Sequence, residues 1–245
     1  MRAGEAWQSG ELAGRPVLER SWPGVRLIFS VGPRWSGDPY EERAGAVLGA
    51  LGRRAAALRW CRQVHGRLLA SLSGEEDRPL TGVACVGRCD GLLTADPALG
   101  VLVWTADCVP VLLHGGGVAA AVHAGWRGAA AGIVPAAVRR FEIEYGVPPA
   151  DLHAALGPSI GPCHYQVGPE VLEALQRADP GDGGWRHGDR ADLRALLAAQ
   201  LVGAGVPAGS VERVGGCTAC DPALASYRRD GERAGRQWSL ALLPA

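Results

Sequence analysis

The stretch 105–128, TADCVPVLLHGGGVAAAVHAGWRG, constrains the fold more than any other part of the chain. Its two short apolar runs, 109–113 and 118–122, are separated by Gly115, Gly116 and Gly117, which predicts paired buried strands joined by a turn. Cys108 precedes the first run and His123 follows the second. If the strands are antiparallel neighbours, thiol and imidazole stand at the same sheet edge and face one another across the pair. That is an arrangement for chemistry more than for packing. Gly125-Trp126-Arg127-Gly128 then leads into a predicted helix. A glycine-flanked turn with an arginine at a helix N-terminus suits an anion, because unpaired N–H groups and the helix dipole both favour negative charge there.

A chain of 245 residues buries a sizeable core, and one domain is the expected organisation: an N-terminal segment, 1–24, followed by a single domain over 25–245. The 25 acidic and 25 basic side chains balance without long runs. This gives no electrostatic footprint for nucleic acid or a membrane surface, so the expected partner is a small molecule. No secretory-leader pattern is recognisable and no apolar run is long enough to span a bilayer, which places the chain in the cytoplasm. Its seven cysteines are then expected as thiols, some binding metal or reacting, not as a disulfide framework. There is no lysine and no asparagine, and the one methionine is Met1. Schiff-base lysines and lysine phosphate clamps are thereby excluded, and cationic work falls to arginine.

Along the chain, 1–24 is weakly patterned and 25–31 reads as a strand. Asp38-Pro39-Tyr40-Glu41 resembles a capping box with proline at the first helical position, opening a helix that continues through 44–51 to Gly52. Strands are predicted over 57–64, 68–72, 83–87 and 99–104, with a charged loop at 73–81. Asp90-Gly91 reads as a turn. A helix over 129–145 is interrupted at Pro135, where it kinks or properly starts. Beyond a strand at 152–156, the stretch 157–163 is too rich in glycine and proline for regular structure. Helices follow at 169–178 and 192–204, and strands at 211–214 and 238–243.

Six histidines are available. His65 and His123 stand at predicted strand ends beside small residues, and Cys108 occupies a similar place. Two histidines and a cysteine give three zinc ligands and leave a fourth position open, the pattern of a catalytic site. His65 before Gly66 reads equally well as a turn residue. Cys217 and Cys220 form a C-x-x-C pair, but the chain offers no obvious second pair, so a structural zinc is not expected there. By pattern alone Arg43 reads as a solvated helix residue.

Six ordered motifs add what spacing does not: Arg62-Gln63-Val64-His65-Gly66, Cys89-Asp90-Gly91-Leu92-Leu93-Thr94, Thr105-Ala106-Asp107-Cys108-Val109-Pro110, Val122-His123-Ala124-Gly125-Trp126-Arg127-Gly128, Gly157-Pro158-Ser159-Ile160-Gly161-Pro162-Cys163 and Ser226-Tyr227-Arg228-Arg229-Asp230. Together they resemble the family first called multicopper polyphenol oxidases or laccase-domain proteins, over roughly residues 25–243. That family is now also described as purine nucleoside phosphorylases with adenosine deaminase and methylthioadenosine phosphorylase activity. The resemblance implies an α+β, mixed α/β, single-domain four-layer α-β-β-α sandwich. It also implies metal ligands at His65, Cys108 and His123, and a substrate-side role for Arg43, although Glu42 replaces the family's preceding asparagine. Three departures bear on substrate preference: a shortened loop between Phe29 and Asp38, His164 where many members have a second cysteine, and Leu224-Ala225 in place of two aromatics.

The two names of the family demand different chemistry. A blue-copper centre uses a weak axial methionine, and a trinuclear oxygen-reducing cluster consumes more histidines than the four remaining. Purine chemistry suits the inventory better. Phosphorolysis needs cations to hold phosphate and ribose, for which Arg43, the turn of Gly125, Trp126, Arg127 and Gly128, and Arg228, Arg229 and Arg236 are the candidates. Hydrolytic deamination at C6 of adenosine needs water activated near neutral pH, which bound zinc supplies. The expected protein is a zinc enzyme of purine nucleosides and phosphate, monomeric or homodimeric, with His65, Cys108 and His123 as catalytic metal ligands and copper as the possible substitute. The alternatives are copper-dependent phenol oxidation, a non-enzymatic metal- or nucleoside-binding protein, and a hydrolase with Cys108 as nucleophile and His123 as base.

Overall fold

The computed structural model describes residues 6–32, 40–52, 55–72 and 81–243. The weakly patterned start contains two strands, β1 (Gln8–Leu12) and β2 (Arg15–Trp22), turned by Ala13 and Gly14 at φ 54° and 68°. Both are largely exposed or half-buried, so no apolar alternation marked them. They pair onto β3 (Val25–Ser30). Helix α1 (Tyr40–Leu51) follows. The Asp38 and Pro39 of the expected capping box, the shortened loop before them and most of the charged loop lie outside the described residues.

The chain then alternates between two sheets through β4 (Ala57–Arg62), β5 (Leu69–Leu72), β6 (Gly82–Arg88), β7 (Gly91–Thr94), β8 (Leu99–Thr105) and β9 (Val109–Gly115). The expected hairpin is present: β9 pairs antiparallel with β10 (Val118–Ala124). Gly116 and Gly117 turn it at φ 55° and 77°, a doubly left-handed turn whose twist matches the strands and which side chains resist.

The helix expected over 129–145 is two helices, α2 (Trp126–Ala130) and α3 (Ile133–Tyr145). The break falls at Gly132, φ 75°, and not at Pro135. Pro135 sits in the first turn of α3, where a missing N–H leaves no helical bond unmade. The remaining elements are β11 (His153–Leu156), α4 (Pro169–Arg177), a small ribbon of β12 (Arg186–His187) and β13 (Arg190–Ala191), α5 (Leu193–Gly203), β14 (Val211–Arg213), α6 (Tyr227–Asp230) and β15 (Gln237–Leu242).

One sheet has the order β1-β2-β3-β15-β8-β4-β6 and the other β14-β11-β9-β10-β7-β5. Strand alternation assigns their faces. In β8, Val101 and Val103 point to the space between the sheets, where they meet Leu112, Ala119 and Ala121. Leu102 and Trp104 point the other way, onto Val47 and Leu51 of α1. In the second sheet Val111, Leu113, Ala120 and Val122 face Ile133, Phe141 and Leu196 from the helices. The central strands are thus buried on both faces and read as continuous apolar runs. The layers are α1, sheet, sheet, and the helical layer: the four-layer α-β-β-α arrangement that the resemblance implied.

Candidate metal centre and cavity

Three successive links cross from the first sheet to the second: β4 to β5, β6 to β7 and β8 to β9. The first carries His65, the second Asp90 and the third Cys108. Because the crossings lie side by side, residues far apart in sequence arrive at one rim, beside His123 in β10. The donor atoms of His65, Cys108 and His123 all lie within 4.8 Å of one another.

Asp90 is fully buried and organises the group. Its carboxylate accepts the N–H groups of Val64, His65 and Gly66 at 3.1, 2.8 and 2.7 Å, and Oδ1 lies 2.9 Å from His123 Nδ1. The Asp90 contact occupies one ring nitrogen of His123 and leaves Nε2 for a metal. His65 is held at φ 58° and Asp107, next to Cys108, at φ 80°. Left-handed backbone at side-chain-bearing residues costs about 1–3 kcal/mol each and persists where the surroundings enforce it. Here the Asp90 carboxylate enforces the first. Asp107 is fixed by Thr218 Oγ1 and the Arg228 N–H, each 2.6 Å from its carboxylate.

The charges agree with a thiolate site. Burial by itself pushes the Cys108 thiol up, but hydrogen bonds and positive charge from His123 and His65 outweigh it and hold the thiol at about 6. Burial opposes the imidazolium of His123, yet its bonds to Asp90 and Cys108 raise it to about 9. The Asp90 carboxyl is drawn below its ordinary range, because hydrogen bonds from His123, Gly66 and His65 outweigh burial. Two imidazoles and a low-lying thiolate, with a carboxylate behind one ring, could hold a metal ion and would leave it an open position.

His65, Cys108 and His123 open onto a cavity of about 730 Å³. One wall is aromatic: the Tyr40 ring lies 5.5 Å from Trp60 and 5.3 Å from Trp104. Arg62, Arg228 and Arg236 bring positive charge to it, with Tyr165 and Tyr227 nearby. Burial raises the Tyr165 hydroxyl, which therefore stays protonated. The Arg228 guanidinium lies 5.5 Å from the Tyr165 ring centroid and donates to the carbonyls of His164 and Gln166.

Of the residues expected at the substrate, Arg228 lines the cavity and Arg43, Arg127 and Arg229 are not among the described residues that do. Arg43 is buried, with its guanidinium 5.7 Å from the Tyr40 ring, so it backs the aromatic wall and is not the solvated residue that pattern alone gives. Arg127 stacks on Trp126 at 4.4 Å. Arg229 is committed to the fold: it donates to the carbonyls of Thr218, Asp221 and Leu224 and pairs with Asp230. Gly125 and Gly128 are close-packing positions. A Cβ on Gly125 would stand 3.1 Å from Cys108 Sγ and from His65 Cδ2, and one on Gly128 would stand 2.9 Å from the Gly66 carbonyl.

Sequence reasoning missed the aromatic wall and assigned Asp90 to a turn. Gln63 was also missed: its amide donates to the Trp104 carbonyl at 2.6 Å and accepts the Trp104 N–H at 2.8 Å, stitching the β4 end to β8. The signal for Asp90 was its charge beside buried strands. The expectation that Cys217-x-x-Cys220 lacks partners is corrected too, because Cys163 and His164 meet it, all four donor atoms lying within 4.8 Å of one another.

Residues 40–244 match the model of the family described as multi-copper polyphenol oxidoreductase laccase. The chain is 38% identical over 233 residues to a protein of Streptomyces coelicolor named purine nucleoside phosphorylase, covering 89% of this chain and 92% of that one. A Mycobacterium tuberculosis protein of the same name is 36% identical over 213 residues, covering 82% and 80%. Among solved structures, YlmD from Geobacillus stearothermophilus aligns with TM-score 0.80 at 26% identity over 98% of this chain and 100% of that one. The Bacillus licheniformis hypothetical protein YfiH aligns with TM-score 0.81, also at 26% identity, over 93% and 96%.

Proposed function

The chain belongs to the multi-copper polyphenol oxidoreductase laccase family, and on that premise we propose that it is a purine nucleoside phosphorylase holding zinc at His65, Cys108 and His123. The observation that carries the reading is the cavity itself: three ligands at one side, an aromatic wall at another, and Arg62, Arg228 and Arg236 around it. Its volume lies in the range that encloses a small-molecule ligand. The names of relatives at 36–38% identity support the same reading.

In phosphorolysis a phosphate oxygen attacks C1′ of the nucleoside, the bond from C1′ to the purine nitrogen breaks, and the base leaves with its electron pair and takes up a proton. The Tyr40, Trp60 and Trp104 rings offer a face on which a planar base stacks. Arg228 and Arg236, both on the cavity lining, would hold the phosphate and stabilise charge on it. Zinc at the three ligands would supply Lewis-acid polarisation of a donor atom at its open position. Asp90 holds His123 in a fixed orientation for that metal. Inosine, adenosine and methylthioadenosine are the substrates of this reading, with hydrolytic deamination of adenosine as a second activity of the same cavity. We place the enzyme in the cytoplasm as a monomer or homodimer; among the described residues no helix is long and apolar enough to cross a membrane.

A multi-copper oxidase is less well supported. His114 and His153 stack on each other at the far end of β9, His164 belongs to the second cluster, His187 is exposed in β12, and among the described residues His65 and His123 are the histidines that line the cavity. A trinuclear copper site needs more imidazoles than these.

The deciding experiment is turnover of the three nucleosides by zinc-loaded protein with and without phosphate, following base and ribose 1-phosphate by chromatography. Phosphate-dependent base release is expected. Copper-dependent oxidation of a phenol without nucleoside turnover would overturn the reading.

A further inference from the structure

We infer that Cys163, His164, Cys217 and Cys220 form a second metal site, a closed structural zinc centre separate from the three-ligand group at the cavity. The geometry carries the inference. Cys163 Sγ and Cys220 Sγ are 3.5 Å apart, and His164 Nδ1 lies 3.3, 3.8 and 3.4 Å from the sulfurs of Cys163, Cys217 and Cys220. Zinc bonds of about 2.3 Å to sulfur and 2.0–2.1 Å to nitrogen set tetrahedral edges of roughly 3.5–3.8 Å. Four of the six donor separations, 3.3–3.8 Å, lie within about 0.2 Å of that spacing, and the other two are within 4.8 Å. A disulfide would need two sulfurs near 2.05 Å, and with one pair joined the other cysteine and the imidazole would lose their partner.

The surroundings fit a bound cation. Gly161 N–H donates to Cys217 Sγ at 3.2 Å, a bond that stabilises a thiolate. Three thiolates and a neutral imidazole saturate four-coordinate zinc and leave no open position, which marks a structural role where the first site is open. The donors come from two irregular segments with few buried apolar anchors, Ile160 in one and Leu224 and Ala225 in the other. Without a crosslink, little but hydrogen bonds ties those segments together.

The site would also act on the cavity at a distance. Tyr165 follows His164 directly and lines the cavity, and the His164 carbonyl accepts from Arg228. Thr218 lies between the other two ligands and bonds Asp107 beside Cys108. Loading the cluster therefore fixes one wall of the cavity, and these four residues are positioning residues, not catalytic ones. The inference stands whether or not the cavity binds nucleosides.

The test is metal counting in the full-length protein with Cys108→Ala, which disables the first site and leaves the cluster untouched. After stripping with a chelator and reloading with zinc, wild type is expected to hold two ions per chain, C108A one, and C108A combined with C217S and C220S none. Cobalt(II) added to stripped C108A should give intense tetrahedral visible bands with sulfur-to-cobalt charge transfer. Zinc-free C108A, or loss of two thiols to a disulfide in the reduced and desalted protein, would overturn the proposal. Since the first measurement changes no cluster residue, misfolding of the triple variant does not blur the outcome; C220S alone, checked by circular dichroism, gives the same comparison.

Discussion

Asp90 Oδ1 stands 2.9 Å from His123 Nδ1, and the same carboxylate accepts the backbone N–H of His65 at 2.8 Å, so one buried side chain orients two of the three proposed ligands. Asp90→Asn keeps the shape but turns one oxygen into a donor facing a ring nitrogen or backbone N–H groups. Zinc affinity is expected to fall about 10–100-fold, as for other residues that orient a metal ligand. Stability is expected to drop by about 2–3 kcal/mol from the weakened charged hydrogen bonds. Chelator competition and thermal melting measure the two, and unchanged zinc affinity would show that the carboxylate does not orient the ligands.

Arg228 and Arg229 are neighbours with different work. Arg228 lines the cavity, whereas Arg229 holds the carbonyls of Thr218, Asp221 and Leu224 at 2.9, 2.8 and 2.6 Å. Arg228→Ala is expected to raise KM for phosphate about tenfold or more, the loss of one charge-assisted contact. Arg229→Ala is expected to cost about 2–3 kcal/mol of stability while leaving KM within about twofold at temperatures where the variant stays folded. Steady-state kinetics beside melting curves distinguish the pair, and interchanged phenotypes would reverse the assignment.

The ligand group carries its own pH signature. With Cys108 at about 6 and His123 at about 9, the metal-free pair between those values is a thiolate beside an imidazolium. Zinc binding must then displace the His123 proton. Apparent affinity should rise about tenfold per pH unit from 6 to 9, level off above, and fall more steeply below 6 as the thiol protonates too. Zinc competition against a chelator of known protonation measures this, and a flat profile from 6 to 9 would refute the pairing.

His114 gives a stability prediction away from the site. It is 7% exposed, stacks on His153 at 5.1 Å and touches Trp22 at 4.5 Å. Burial, with the charges of His153 and Arg20, lowers it from 6.5 to about 3. Between those values the unfolded chain binds a proton that the folded chain refuses. Stability therefore falls with decreasing pH, by up to ~1.4 kcal/mol per unit from this group. Denaturant melts across that window should show a shallower fall in His114→Gln, and an unchanged slope would place the acid sensitivity elsewhere.

Local pattern made the centre of the chain legible. The glycines at 115–117 and the apolar runs beside them dictate the β9–β10 hairpin, because a doubly left-handed turn between buried strands admits few other residues. That hairpin alone sets Cys108 and His123 at one edge. The helix break was misplaced by three residues since Gly132, not the more conspicuous Pro135, takes the left-handed conformation. The β1–β2 hairpin went unread because its exposed faces carry no alternation.

What the sequence by itself determined is most of the strands and helices and the donor-bearing strand ends, all properties of residues a few positions apart. Only the tertiary structure decided that Asp90, 33 positions from His123, holds it, and that Cys163 reaches Cys220 across 57. Periodicity tells which face of an element is buried, but it carries no information about which links cross between two sheets side by side. Those crossings brought His65, Asp90 and Cys108 to one rim, where burial and mutual charge gave them the chemistry that none has alone.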